Sequence, residues 1–188
     1  MRTHDDGMQR TLVQRTVALI ALFLVGLATA QSRAPRFDPA HPPHAGDEGV
    51  FYGPLVRVKD GDSLVVRVQG VAMDFRLADI DAPERDQPYG RNAKQDLASL
   101  ASGGQLVLLP IDTDRYGRTV AQVWNGTTHL NAEMVRRGAA WFYAEFARGE
   151  TLYEVEQEAR SAKRGLWALP LQERIEPWLW RERARHRN

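Results

Sequence analysis

From Phe51 onward, apolar and polar residues alternate in short runs, the period of a strand whose two faces meet different surroundings. "GPLVRV" (Gly53 to Val58) and "SLVVRV" (Ser63 to Val68) are two such runs, and "VAMDFRLADI" carries the alternation through Ile80. Gln69 and Gly70 separate the second run from the third with a two-residue hairpin spacing, so the pattern predicts a three-stranded meander. The period then changes. In "RNAKQDLASLAS" (Arg91 to Ser102), Ala93, Leu97, Leu100 and Ala101 recur at helical spacing, and Gly103 and Gly104 end the helix. "QLVLLPI" and "TVAQVW" predict two further strands, the latter leading through Asn125 and Gly126 into "TTHL". "NAEMVRRG" predicts a short helix capped by Asn131 and closed by Gly138. "ETLYEVEQEARSAKRG" predicts a longer helix from Thr151 to Lys163, with Gly165 beyond its end.

Five short strands with a helix between the third and fourth fit an α+β chain dominated by a β-barrel. The architecture expected is a five-stranded Greek-key barrel of the OB-fold type with about three helices, the alternative being a β-sandwich. At 188 residues and 43% hydrophobic, the chain has material for one ordinary core, assigned to residues 50–180. Residues 31–49 are rich in Pro, Gly and polar side chains and read as a linker in which His41 and His44 are solvated. At the other end, "EPWLWRERARHRN" offers two tryptophans expected to clamp onto the domain, and residues 181–188 read as a solvated basic tail, the alternative being a nucleic-acid arm.

The first thirty residues follow a different logic. Arg10 and Arg15 precede the apolar run from Val17 to Ala28, and "ATA" (Ala28 to Ala30) places small residues at a cleavage position. This is the pattern of a signal peptide cleaved before Gln31, which implies a secreted or periplasmic protein without stable membrane association after cleavage. The alternatives are an uncleaved anchor or a buried helix, and the run is short for a span of about 20 residues.

Charge narrows the chemistry. The chain has 25 Lys and Arg against 24 Asp and Glu, and loss of residues 1–30 leaves 22 of each, so no global basic field argues for a nucleic-acid partner. With no cysteine, a disulfide framework and a thiolate zinc site are excluded. Function must therefore come from local clusters. Asp60 and Asp62 flank Gly61 at a turn between strands, and Asp81 ends the third strand, where an antiparallel meander can bring it near Asp62. Oxygen donors without Cys or His suit calcium or magnesium, although Asp-Gly-Asp turns also arise for purely local hydrogen-bonding reasons. Alternation puts Asp74, Arg76 and Ala78 on the face opposite Met73, Phe75 and Leu77. There Arg76 is open to an ion pair with Asp74 or Glu84, or to a phosphate. "DTDRYGR" (Asp112 to Arg118) is a polar hairpin that adds Arg118, and Glu84 completes a set suited to attack on a phosphodiester: guanidiniums for phosphoryl charge, a carboxylate for water.

Taken in order, "VKDGDS", "FRLADIDAPE", "QPYG", "DRYGR" and "GLW" resemble the staphylococcal nuclease (thermonuclease) family from about Leu55 to Trp180. The resemblance implies a five-stranded barrel with three helices and a calcium-dependent nuclease acting on DNA and RNA to leave 3'-phosphate ends. It implies further that Asp62, Asp81 and the backbone carbonyl of Ala82 hold Ca2+, with Asp60 in the outer shell. Arg76 and Arg118 match the phosphate clamp, Glu84 the residue facing the attacking water, and Arg115 and Tyr116 the neighbourhood of a terminal phosphate. Ala82 departs from the threonine of the founding member, which keeps the carbonyl but removes a hydroxyl.

Two functions of different class follow from the same barrel: a metal-dependent phosphodiesterase, and a noncatalytic oligonucleotide-binding module. The second needs basic and stacking surfaces but has no use for Glu84 or the paired aspartates.

Overall fold

The structure is a computed structural model, and it describes residues 42–145 and 151–186. The segment expected to be a signal peptide, most of the expected linker including His41, residues 146–150 and the last two residues lie outside that range. Residues 45–49 form turns, flanked by hydrogen bonds in which Asp47 and Val50 donate backbone N–H groups to His44 O and Asp47 O.

Strands β1 (Phe51–Val58), β2 (Ser63–Val68) and β3 (Val71–Leu77) form the expected antiparallel meander. Val68 pairs with Val71 across a two-residue turn in which both Gln69 (φ 48°) and Gly70 (φ 85°) are left-handed, the geometry that matches strand twist. Beyond Leu77 the chain does not continue as one strand. Asp79 (φ 63°) turns it, and β4 (Ile80–Asp81) pairs instead with β8 (Trp141–Phe142). Asp81 therefore belongs to a separate two-stranded ribbon rather than to the end of β3.

Helix α1 (Gly90–Ala101) buries the four residues whose spacing predicted it, Ala93, Leu97, Leu100 and Ala101. It is followed by β5 (Gln105–Thr113), β6 (Thr119–Asn125) and β7 (Thr128–His129). Sheet order β3-β2-β1-β5-β6 closes on itself because β3 also runs parallel to β6, with Phe75, Arg76 and Leu77 opposite Thr119, Val120 and Ala121. The result is a closed five-stranded barrel, which removes sheet edges. Leu64, Val66, Phe75, Leu77, Leu106, Leu108 and Val123 share one buried cluster with α1 and with α2 (Leu130–Arg136).

Asn131 does not cap α2, whose N-cap is His129. It is fully buried and acts as a staple: Oδ1 accepts from Val123 N, while Nδ2 donates to Ala78 O and Ala121 O. Helix α3 (Thr151–Ser161) and a 3-10 turn (Gly165–Ala168) build a second, smaller cluster of Trp141, Ala159, Leu166 and Trp167. The last element is a fourth helix, α4 (Pro177–Arg185), where the sequence suggested a solvated tail from residue 181. Among the described residues, no helix is long and apolar enough to cross a membrane.

Candidate active site

An open cleft of about 770 Å³ lies beside the ends of β2 and β3, and its walls include Asp60, Asp62, Arg76, Asp81, Glu84 and Arg118. Its floor depends on small residues. A Cβ on Gly61 would stand 2.6 Å from Ala82 Cβ and 2.8 Å from Ala93 Cβ, so the Asp-Gly-Asp turn packs directly against α1 and the chain after β4. Within that turn Asp62 N donates to Asp60 Oδ1 at 3.2 Å, and Leu77 N donates to Asp62 O at 2.8 Å. Ala82 N donates to Asp62 Oδ2 at 3.2 Å. The small side chain at Ala82 thus serves the close approach that joins two segments twenty residues apart.

Arg76 gathers the carboxylates. Its Nη2 is 3.3 Å from Asp62 Oδ2 and 3.1 Å from Asp81 Oδ1, and it also donates to Ile80 O at 3.1 Å. The partners that sequence neighbourhood suggested are engaged elsewhere: Asp74 pairs with Lys59, and Glu84 with Arg181. Asp62 and Asp81 are 7% and 1% exposed, so this is a nearly dry ion cluster in which an uncompensated charge would be costly. Burial opposes ionisation of Asp62, yet Arg76 and the hydrogen bonds from Ser63 and Ala82 hold it below the usual carboxylate range. Asp60, with burial and the Asp62 charge against it, is pushed up to about 7. Burial and Asp62 likewise push Asp81 upward, against the pull of Arg181 and Arg76.

The opposite wall comes from the hairpin between β5 and β6. Gly117 (φ 77°) closes a tight loop in which Gly117 N donates to Asp114 O and Asp114 N to Arg118 O. Asp114 organises it: Oδ1 accepts from Tyr116 N and Arg118 N, and Oδ2 from Arg118 Nε at 2.7 Å. Arg118 then reaches across to donate from Nη1 to Ser63 Oγ at 3.0 Å, and that hydroxyl donates to Asp62 Oδ1 at 2.8 Å. Arg118 is therefore coupled to the aspartate cluster through Ser63. Tyr116 is 68% exposed at the lip, with the Arg115 guanidinium 4.8 Å over its ring and donating to its hydroxyl.

Glu84 enters from the loop before α1. Its backbone N–H donates to Gln87 Oε1, and Gln87 N returns a bond to Glu84 O. The first residue of α1 must be glycine, since a Cβ at Gly90 would fall 1.8 Å from Glu84 O. The half-buried carboxylate accepts from Arg181 Nη1 at 2.8 Å.

The structure brings Asp60, Asp62, Arg76, Asp81, Ala82, Glu84 and Arg118 to one cleft and puts Arg115 and Tyr116 at its rim. Sequence reasoning missed Ser63, Asp114 and Arg181. Asp114 was readable, because Asp at the first and Gly at the fourth position of "DRYG" mark a turn. Ser63 and Arg181 carry no local signal. Among the described residues, no three His, Cys, Asp or Glu side chains form a group that would hold a metal by themselves. Asp62 and Asp81 are two oxygen donors on one Arg76 nitrogen, crowded by a third carboxylate. Such a set fits a hard cation that completes its shell with backbone carbonyl and water.

The sequence matches the family described as staphylococcal nuclease homologue over residues 74–169, a span that starts after Asp62 and includes Arg76 to Arg118. A micrococcal nuclease of Shigella flexneri is 38% identical over 147 residues, covering 72% of this chain and 83% of the relative. An uncharacterized endonuclease of Escherichia coli O157:H7 is 40% identical over 134 residues, covering 71% and 86%. Protein ParB of Escherichia coli is 38% identical over 146 residues, covering 72% and 81%. With the barrel, the cleft and these matches in agreement, the chain belongs to the staphylococcal nuclease homologue family.

Proposed function

We propose that this protein is a calcium-dependent nuclease that hydrolyses phosphodiester bonds of DNA and RNA and leaves 3'-phosphate ends. The observation that carries the reading is the continuous chain of contacts Arg118–Ser63–Asp62–Arg76–Asp81 around one cleft. It supports the reading because two guanidiniums and two carboxylates suited to a cation share the same space. The names of the micrococcal nuclease and endonuclease relatives support the same class of reaction.

Asp62 and Asp81, the Ala82 carbonyl and, from the outer shell, Asp60 would hold the ion. When bound, calcium supplies positive charge that offsets phosphoryl charge in the transition state. Arg76 and Arg118 act on the same charge with planar forks that match phosphoryl oxygens. Asp114 keeps the Arg118 fork aimed. Glu84 accepts a proton from water as the water oxygen bonds to phosphorus and the bond to the 5'-oxygen breaks. The leaving oxygen takes its proton from solvent, and phosphate stays on the 3' side. The exposed Tyr116 ring and Arg115 at the rim suit contact with the flanking nucleotide.

The test is digestion of plasmid DNA and of RNA by wild type and Asp81→Ala, with calcium and with EGTA, followed by end-group analysis. Cleavage by wild type with calcium alone, leaving 3'-phosphate ends, is expected. Cleavage that survives both EGTA and Asp81→Ala would defeat the reading, and binding without cleavage under all conditions would leave the noncatalytic module. The reading extends to export: the charged, apolar and small-residue order of residues 2–30 supports a cleaved signal peptide. Mass spectrometry of protein recovered outside the cytoplasm should then find Gln31 as the first residue.

A further inference from the structure

Helix α4 carries another arginine into the cleft. Pro177 opens the helix at a position where its missing N–H is not needed. Trp178 fastens it, lying on Tyr143 with ring centroids 5.0 Å apart and planes 9° from parallel, and meeting Trp141 edge-on at 6.2 Å. Just upstream, Ile175 O accepts from Gln87 Nε2, on the same side chain whose Oε1 holds Glu84 N. Trp178 and Arg181 are three residues apart and so share a helix face, and docking the ring delivers the guanidinium.

Arg181 forks onto Asp81, with Nη1 3.1 Å from Oδ1 and Nη2 2.7 Å from Oδ2, and Nη1 is also 2.8 Å from Glu84 Oε1. Exposed ion pairs contribute little to stability, but Asp81 is 1% exposed and the contact is bidentate. Its place matters more than its strength. Arg181 sits on the carboxylate assigned to the cation and on the carboxylate assigned to water, 100 and 97 residues away in sequence.

We propose that Arg181 is a positioning residue of the active site: a resident cation that orients Glu84 and from which a divalent cation must take over Asp81. The proposal rests on the metal-dependent reading above. Two effects of opposite sign follow. The guanidinium charge beside Asp81 repels an incoming cation and lowers its affinity. The bond to Glu84 holds the carboxylate in place for water and raises turnover. A residue that served only to dock α4 would, on removal, lower both together.

The experiment is calorimetric titration of the full chain with calcium, together with turnover at saturating calcium, for wild type, Arg181→Gln and Arg181→Lys. Circular dichroism and Trp fluorescence serve as folding controls. Arg181→Gln is expected to bind calcium about tenfold more tightly, the scale of removing one positive charge near a divalent ion even under water-like screening. Its turnover should fall about tenfold or more as Glu84 loses its partner. Arg181→Lys keeps the charge without the fork, so its calcium affinity should stay near wild type while its turnover drops; it also covers the case in which the Gln variant folds poorly. Calcium affinity that is equal in wild type and a folded Arg181→Gln, or weaker in the variant, overturns the proposal and leaves the metal reading standing. Absence of calcium binding in both proteins overturns the metal reading itself.

Discussion

Arg118 and Ser63 are joined by a hydrogen bond of 3.0 Å between residues 55 apart in sequence, and the hydroxyl passes the contact on to Asp62. One small side chain thus ties the hairpin arginine to the aspartate cluster. Ser63→Ala should keep the fold, because the hydroxyl can be removed without changing the strand. Turnover or calcium affinity should fall about 10- to 100-fold, the usual effect of losing a group that orients a ligand. Arg118→Lys, which retains charge but not the fork, should lose on the order of 100- to 1,000-fold in turnover with a smaller change in nucleotide affinity. Steady-state kinetics with an inhibitor-nucleotide titration decide both; near-wild-type turnover in Arg118→Lys would remove that residue from the clamp.

Glu84→Gln separates charge from shape. The amide oxygen still accepts from Arg181, so position and calcium binding should survive, while the group proposed to take a proton from water is gone. Turnover should drop about 100-fold or more. A variant that cleaves at the wild-type rate would show that water is activated elsewhere.

Asn131 tests the staple between α2 and the barrel. Replacement by Ala leaves Val123 N and Ala78 O without their buried partner, since Ala121 O still accepts from Ala78 N. Each unsatisfied buried group costs roughly 1–3 kcal/mol, so urea denaturation should show a loss of about 3 kcal/mol. A loss well under about 1 kcal/mol would mean that water replaces the amide at little cost.

His129 makes stability depend on pH. It stacks on Trp124 with ring centroids 4.8 Å apart and contacts Gln122 Oε1 through Nε2. Burial first, and Arg136 second, lower its pKa to about 4 from 6.5. The unfolded chain therefore binds the proton more readily, so the stabilisation is full above pH 6.5 and is lost as pH falls toward 4. The scale is about 3 kcal/mol over that window. His129→Phe keeps a stacked ring without the titration, and its stability should be flatter than wild type between those two pH values when both are measured by denaturation at each pH.

The local elements were legible because each depends on nearby residues. Period-two alternation marks β1 to β3, the Gln69-Gly70 pair marks the turn between two of them, and four apolar positions mark the buried face of α1. The candidate site residues were legible as chemistry for the same reason: carboxylates and arginines at turns and strand ends are visible wherever they end up.

Their partners were not. Arg76 pairs with Asp62 and Asp81 rather than Asp74 or Glu84, because the left-handed turn at Asp79 redirects the chain and Gly61 lets the acidic turn press against Ala82 and Ala93. Asn131 is a staple rather than a cap because β6 and the end of β3 pass beside it. Arg181 looked like part of a solvated tail, and it is in the cleft because Trp178 finds Tyr143. Periodicity and turn chemistry are properties of neighbouring residues and can be read along the chain. Which charge meets which across 20 to 100 residues depends on how the elements dock, and only the closed barrel and the helices packed on it decide that.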